Sequence, residues 1–192
     1  MNIENKNTNK KYYALKVEEQ DAPVQLLKNE IQIYRYLAKV NSISNLYWYG
    51  VNSGVRYGVF DLYDIDLSRV SQQEYSIQSI ILQMLYIIRD IHNKKIIHRD
   101  LKPDNFMLNN TRVTIIDFGL SKLYELNHKH ICKKKTKSIT GNLLFCSPYV
   151  QIHIEPSRRD DLISLGYCFV YLIKQSLPWT ISTIHKKLSF DN

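Results

Sequence analysis

The sequence predicts an α+β fold in two lobes: a small, β-rich N-terminal lobe with one helix, then a mainly helical C-terminal lobe. Three observations predict it. Strand-like runs fill the chain up to residue 63 and are interrupted by one stretch of helical spacing. Beyond residue 63 the strongest periodicities are helical, with apolar positions three and four apart. A chain of 192 residues that is 44% apolar is long enough to bury a core beneath both parts.

Taken in order, residues 1–11 are a polar segment, MNIENKNTNKK, with no apolar stretch that could serve as a signal core. Residues 12–18, YYALKVE, read as a strand bounded by polar runs. Alternation places Leu15 and Val17 on one face and Ala14, Lys16 and Glu18 on the other. A lysine in such a strand is ordinarily a solvated surface residue, and the strand alone leaves open whether Lys16 is instead aimed into a cleft to hold an anion. Between residues 22 and 40, Leu26, Leu27, Ile31, Tyr34, Leu37 and Ala38 recur at helical spacing. Two strands follow near 46–51 and 56–62, separated by the turn signal NSG. The stretch DLYDIDLSRV reads as a connector, with the lobes joined near 61–67, so that 12–63 and 64–192 form the two parts.

The second part opens with a helix over 76–93, where Ile77, Ile80, Ile81, Met84, Leu85, Ile88 and Ile91 make one apolar face. A loop, HRDLKPDN, leads to a strand pair around 106–108 and 113–116 and then to DFG. A basic loop, HKHICKKKTKSITGN, precedes a helix built on 162–173. That last apolar run is too short to span a bilayer, so no membrane role is expected. Three cysteines without a C-x-x-C pairing favour a reducing compartment over disulfides or a zinc site, and the expected location is intracellular, cytoplasmic or nuclear. The net charge of +8 implies anionic partners. Nucleic acid is an unlikely one, because the run KKKTK lacks interleaved aromatics; a solvated loop or a contact with acidic substrates explains it better.

The chemistry concentrates in IIHRDLKPDNF and IIDFG. Asp100, Lys102, Asn105 and Asp117 fall on two loops that bracket one short hairpin. Three acceptors and one cation so grouped stay unpaired without a ligand, and a metal-bound polyphosphate supplies both charges they lack. Asp117 and Asn105 offer hard oxygens suited to Mg²⁺. Asp100 can accept the proton of an attacking hydroxyl, and Lys102 can neutralise a phosphoryl group in transfer. The string H-R-D-x-K-x-x-N followed by D-F-G at hairpin distance is highly specific.

These motifs resemble the catalytic apparatus of the eukaryotic protein kinase family. HKHI, TG, WYG, SRRDDLISLGY and SLPW resemble the casein kinase 1 group. The resemblance implies a bilobal kinase-like fold, ATP and Mg²⁺ as cofactors, and transfer of the γ-phosphate to Ser/Thr hydroxyls of protein substrates. It implies that Lys16 holds the nucleotide's α/β-phosphates and pairs with Glu30. Phe60 falls at the gatekeeper position, and Asp61 to Tyr63 at the hinge that meets adenine. His98 and Arg99 correspond to braces of the catalytic loop, and Asp161 to the helix aspartate that accepts its N–H groups. Lys102, two places after Asp100, resembles the serine/threonine rather than the tyrosine kinases.

The pattern departs from the family in places. No glycine precedes Lys16, so a Gly-rich loop is not found, and the chain stops soon after SLPW, which implies that both lobes are truncated. Leu144 stands where the group has an arginine that binds anions, and DIDL replaces GPSL after the hinge. Beside the enzyme reading, therefore, stands a second: a non-catalytic kinase-like binding protein, or a truncated gene product with weak nucleotide binding. Acidic substrates are expected, with less dependence on a priming phosphate than in most of the group.

Overall fold

The structure, a computed structural model, describes residues 11–71, 73 and 75–180. Its first sheet holds β1 (Tyr13–Glu19), β2 (Leu46–Asn52) and β3 (Val55–Asp61), antiparallel in the order β1–β3–β2. The register sets Ala14 opposite Phe60, Lys16 opposite Gly58 and Glu18 opposite Arg56. Phe60, Gly58 and Arg56 are the buried positions of β3, so this is the inner face. Leu15 and Val17 face solvent and are 60% and 58% exposed. β1 thus turns Leu15 and Val17 outward and Lys16 and Glu18 inward, the reverse of an ordinary half-buried strand. An inward lysine and glutamate need partners, and both find them on the helix that follows.

That helix, α1 (Leu26–Tyr36), packs on the inner face through Leu27, Glu30, Ile31, Ile33 and Tyr34. The helical spacing runs to residue 40 in sequence, but the helix ends at Tyr36 and the chain turns through Leu37, which is buried. Its own N-cap residue, Gln25, makes no side-chain cap bond. Glu18 caps it from the neighbouring strand instead, accepting from Leu27 N–H at 2.7 Å and Lys28 N–H at 3.3 Å. The exposed N–H groups and positive dipole end of the helix thereby meet a carboxylate. Arg56 balances that carboxylate at 2.6 Å.

The expected connector is partly ordered. β4 (Ile65–Asp66) pairs with β6 (Phe106–Asn109), which pairs in turn with β7 (Arg112–Ile115). A 3₁₀ turn over Leu67–Arg69 starts where Asp66 accepts from Ser68 N–H. A two-residue strand leaves too little periodicity to be seen in sequence. α2 (Ile77–Asn93) begins at its cap Ser76 as expected. Its buried stripe is Ile80, Met84, Ile87, Ile88 and Ile91, whereas Leu85 lies on the open side with Leu82 and Tyr86. The helix has apolar residues on more than one side, and tertiary contact alone chooses among them.

Short pairs complete the framework: β5 (Ile96–Ile97) with β8 (Lys122–Leu123), and β9 (Glu125–Leu126) with β10 (Lys129–His130). α3 is the single turn Pro148–Gln151. α4 spans Arg158–Lys174, starting four residues before the apolar run that announces it, because Ser157 and Asp160 form a capping box. Leu165, Cys168 and Leu172 of α4 are buried, whereas Leu162 and Ile173 are more than half exposed. One apolar cluster joins both lobes, including Ile31, Tyr34 and Phe60 from the first and Ile88, Ile115, Phe118 and Leu165 from the second. Cys132 is exposed, and Cys146 and Cys168 are buried. Among the described residues, no helix is long and apolar enough to cross a membrane.

Candidate active site

The question raised by Lys16 has a geometric answer. Its Nζ lies 2.7 Å and 2.9 Å from the two carboxylate oxygens of Glu30. Glu30 is buried, with only 4% of its side chain exposed, while Lys16 keeps 38%. Burial pushes the Glu30 carboxyl up, and the Lys16 ammonium pulls it back only in part. The pair is therefore asymmetric: the carboxylate is sealed in and the ammonium remains open to a ligand. Lys16 Nζ also sits 5.5 Å from the ring centroid of Phe60. Gly58 makes room for that ring; a Cβ there would come within 2.7 Å of Phe60 Cε2.

Phe60 starts a column of rings that crosses the molecule. Its centroid is 5.0 Å from Tyr34, Tyr34 is 5.2 Å from Phe118, and Phe118 is 5.0 Å from His98. Phe118 belongs to DFG and His98 to HRD, so the column connects α1 to both chemical loops. His98 is buried, and its Nε2–H donates to Ile116 O at 3.2 Å while Nδ1 accepts from Asp100 N–H at 3.4 Å. Only the neutral ring can do both. Burial lowers its pKa, so this is also the form that desolvation favours.

Against the expectation that these groups stay unpaired without a ligand, Asp100 is held from three sides. Lys102 Nζ is 3.0 Å from Oδ2, Asn105 Nδ2 is 3.2 Å from the same oxygen, and Asn142 N–H donates to Oδ1 at 2.7 Å. Gly141 permits the last contact. It has φ of +87°, and a Cβ on it would collide with the Arg99 carbonyl oxygen. From below, Asp161 on α4 accepts from His98 N–H at 2.8 Å and Arg99 N–H at 2.9 Å, and from His92 Nε2 at 2.9 Å. Glu155 adds a second clamp, with Lys122 at 2.9 Å, Arg99 at 3.4 Å and Lys134 at 3.9 Å. Burial works against the Glu155 charge, yet Lys122 and its fellow cations hold that carboxyl below its ordinary value.

Asp117 has a left-handed backbone, φ +64°, and Oδ1 accepts from Gly119 N–H at 3.3 Å. Asn105 spends its Nδ2 on Asp100, which leaves Oδ1 as its atom for a ligand. Among the described residues no three His, Cys, Asp or Glu side chains group to hold a metal alone. Two oxygens from Asp117 and Asn105 nevertheless suit Mg²⁺, which takes few protein ligands when it arrives with phosphates and water. At the lobe junction, the Asp61 carboxylate accepts from Asn45 N–H, Asn45 Nδ2 and Tyr47 Oη at 2.6–2.9 Å. Burial alone would raise the Asp61 carboxyl; those donors outweigh it and lower the pKa. The Asp61 side chain is thus committed to structure.

The structure brings Lys16, Glu30 and Phe60 together around β1 and α1, and Asp100, Lys102 and Asn105 together on one loop. Sequence reasoning missed His92, Asn142 and Glu155. The TG dipeptide before Asn142 was the one signal available; His92 and Glu155 lie in no chemical motif. Compared with known families, the chain matches the protein kinase domain over residues 2–191, all but its first and last residue, and it belongs to the protein kinase family.

Proposed function

We propose that the chain is a serine/threonine protein kinase of the casein kinase 1-like group, transferring the γ-phosphate of ATP to hydroxyls in acidic protein segments. The observation that carries the reading is the Asp100 carboxylate, fixed by Asn142 and Asn105 with the Lys102 ammonium 3.0 Å away. About four lone-pair sites serve a carboxylate, and these three donors leave one for a substrate hydroxyl. Asp100 would take the hydroxyl proton as the oxygen bonds to the γ-phosphorus and the bond to the departing ADP oxygen breaks. Lys102 would offset the charge on the group in transit. Lys16, set by Glu30, would hold the α/β-phosphates, and Phe60, with the main chains of Asp61 and Tyr63, would frame the base. Asn105 and Asp117 would hold Mg²⁺, which supplies charge neutralisation at the phosphates.

The serine/threonine assignment rests on Lys102 following Asp100 by two residues, and the group assignment on SRRDDLISLGY and SLPW. Trp179 of SLPW donates from Nε1 to Leu144 O at 2.9 Å and stacks edge-on with Tyr167 of SRRDDLISLGY at 4.7 Å. Both motifs therefore brace residues 142–144, whose Asn142 N–H meets Asp100. A second reading, a kinase-like protein that binds nucleotide without transferring phosphate, is favoured by the stretch KYYAL before Lys16, which carries no glycine to cover the phosphates.

Phosphotransfer to dephosphorylated casein and calorimetric Mg·ATP binding separate these readings. Asp100→Asn should cut transfer at least about a hundredfold and leave Mg·ATP affinity within about twofold. Asp117→Asn should weaken the Mg²⁺-dependent part of binding itself. Full transfer by Asp100→Asn would overturn the assignment, and wild-type binding with no transfer would favour the second reading.

A further inference from the structure

Asn29 precedes Glu30 on α1 and has no place in the chemistry described so far. Its Nδ2 donates to Gly119 O at 2.8 Å and to Ser121 O at 2.9 Å, with Phe118 O at 3.3 Å. All three neighbours are carbonyl oxygens and can only accept, so the amide must present its nitrogen there. The two hydrogens go to Gly119 and Ser121, and Phe118 O also receives Ser121 N–H at 3.0 Å. A side chain on the helix is thus bonded to the main chain on both sides of one turn of the DFG loop.

Packing points the same way. Leu26 lies one turn before Asn29 on the same side of the helix. A Cβ on Gly119 would stand 3.3 Å from Leu26 Cβ and 3.3 Å from Asp117 Oδ1, so the loop lies directly against the first turn of α1. Gly119 also donates its N–H to Asp117 Oδ1 at 3.3 Å. Its carbonyl answers to Asn29 and its N–H to Asp117. Asp117 keeps a left-handed backbone, which Asp tolerates better than most non-glycine residues.

We infer that Asn29 is a positioning residue that ties helix α1 to the loop of Asp117, so that the Lys16–Glu30 pair and Asp117 are set as one unit. The inference rests on the reading that these groups hold Mg·nucleotide. Asn29 and Glu30, adjacent on one turn, point to the loop and to β1 respectively, so a shift of α1 moves both halves of the site together. Two hydrogen bonds from a single amide to a loop are worth enough to change a local opening equilibrium about tenfold.

The test uses the full chain with Asn29→Leu, which keeps the bulk and loses the donor, and Asn29→Ala, which suits a helix. Lys28→Ala, at the exposed neighbour, is the control. Hydrogen exchange of the ligand-free protein should quicken about tenfold over residues 117–122 in both Asn29 variants and stay unchanged in α4. Calorimetric titration with ATP should show affinity in saturating Mg²⁺ falling about tenfold, and affinity in EDTA changing less than about twofold. Lys28→Ala should change neither. Unaltered exchange over 117–122 overturns the inference, as does an equal loss of affinity with and without Mg²⁺, which would mark a merely structural role. A wild-type chain that binds no nucleotide overturns the functional reading instead, and the exchange comparison then decides the tie by itself.

Discussion

Gly141 shows how a missing side chain can govern a reacting group. Its φ of +87° and its closeness to the Arg99 carbonyl leave no place for a methyl group, and the next residue's N–H holds Asp100. Gly141→Ala should cost about 1–3 kcal/mol in a thermal melt, and lower kcat more than it raises KM for ATP. His98 offers a second test, by titration. Its folded pKa lies below the unfolded value of 6.5 because the ring is buried. A depressed base binds its proton less readily when folded, so its stability contribution is present above pH 6.5 and is lost as pH falls toward the folded pKa. Urea midpoints measured between about pH 5 and pH 7 should slope upward with pH, and His98→Asn should flatten that slope. At this scale the sequence was most legible for HRD and DFG, whose spacing carries chemistry by itself. Asn142 had only the neighbouring TG as a signal and Glu155 had none, because their partners Asp100 and Arg99 lie more than forty positions away.

At the scale of elements, β1 and α1 form one device. Lys16 meets Glu30 in the middle of the helix, and Glu18 caps its start, so two inward charges of one strand fix where α1 sits. Glu18→Ala should remove the cap and strand Arg56, whose side chain is only 10% exposed, at a cost of about 2–4 kcal/mol by urea denaturation. Lys28→Ala in the same turn should change little. The alternation of YYALKVE was readable, and it placed Lys16 and Glu18 on one side. Which side was inward was not readable, since Leu15 and Val17 made the other face look like the core side. β4 and the start of α4 escaped for a different reason: two residues carry no period, and Arg158–Asp161 is a charged run whose helical meaning depends on the Ser157–Asp160 box.

For the whole molecule, the relevant quantity is charge. A net charge of +8 combines with an exposed run in which Lys133, Lys135 and Lys137 lie open to solvent, close in sequence to Thr140 and Gly141. Acidic peptides should therefore be phosphorylated with higher kcat/KM than neutral ones, and raising salt from about 0.05 M to about 0.3 M should erase most of that advantage. A preference that survives the salt would have to come from short-range contacts instead. The two-lobed α+β plan was legible because periodicity changes character near residue 63; the ring column that fastens the lobes was not, since Tyr34, Phe60, Phe118 and His98 are dispersed along the chain.

The unequal exposure of the three thiols has a practical consequence. Cys132 is exposed beside Lys133, while Cys146 and Cys168 are buried, and burial raises the pKa of both buried thiols, leaving them protonated and slow to react. A maleimide dye should therefore attach once per native chain and three times in urea, as counted by mass spectrometry. The natural sequence already carries a single attachment point within the basic run, so a fluorophore at Cys132 would report peptide arrival there without any engineered cysteine.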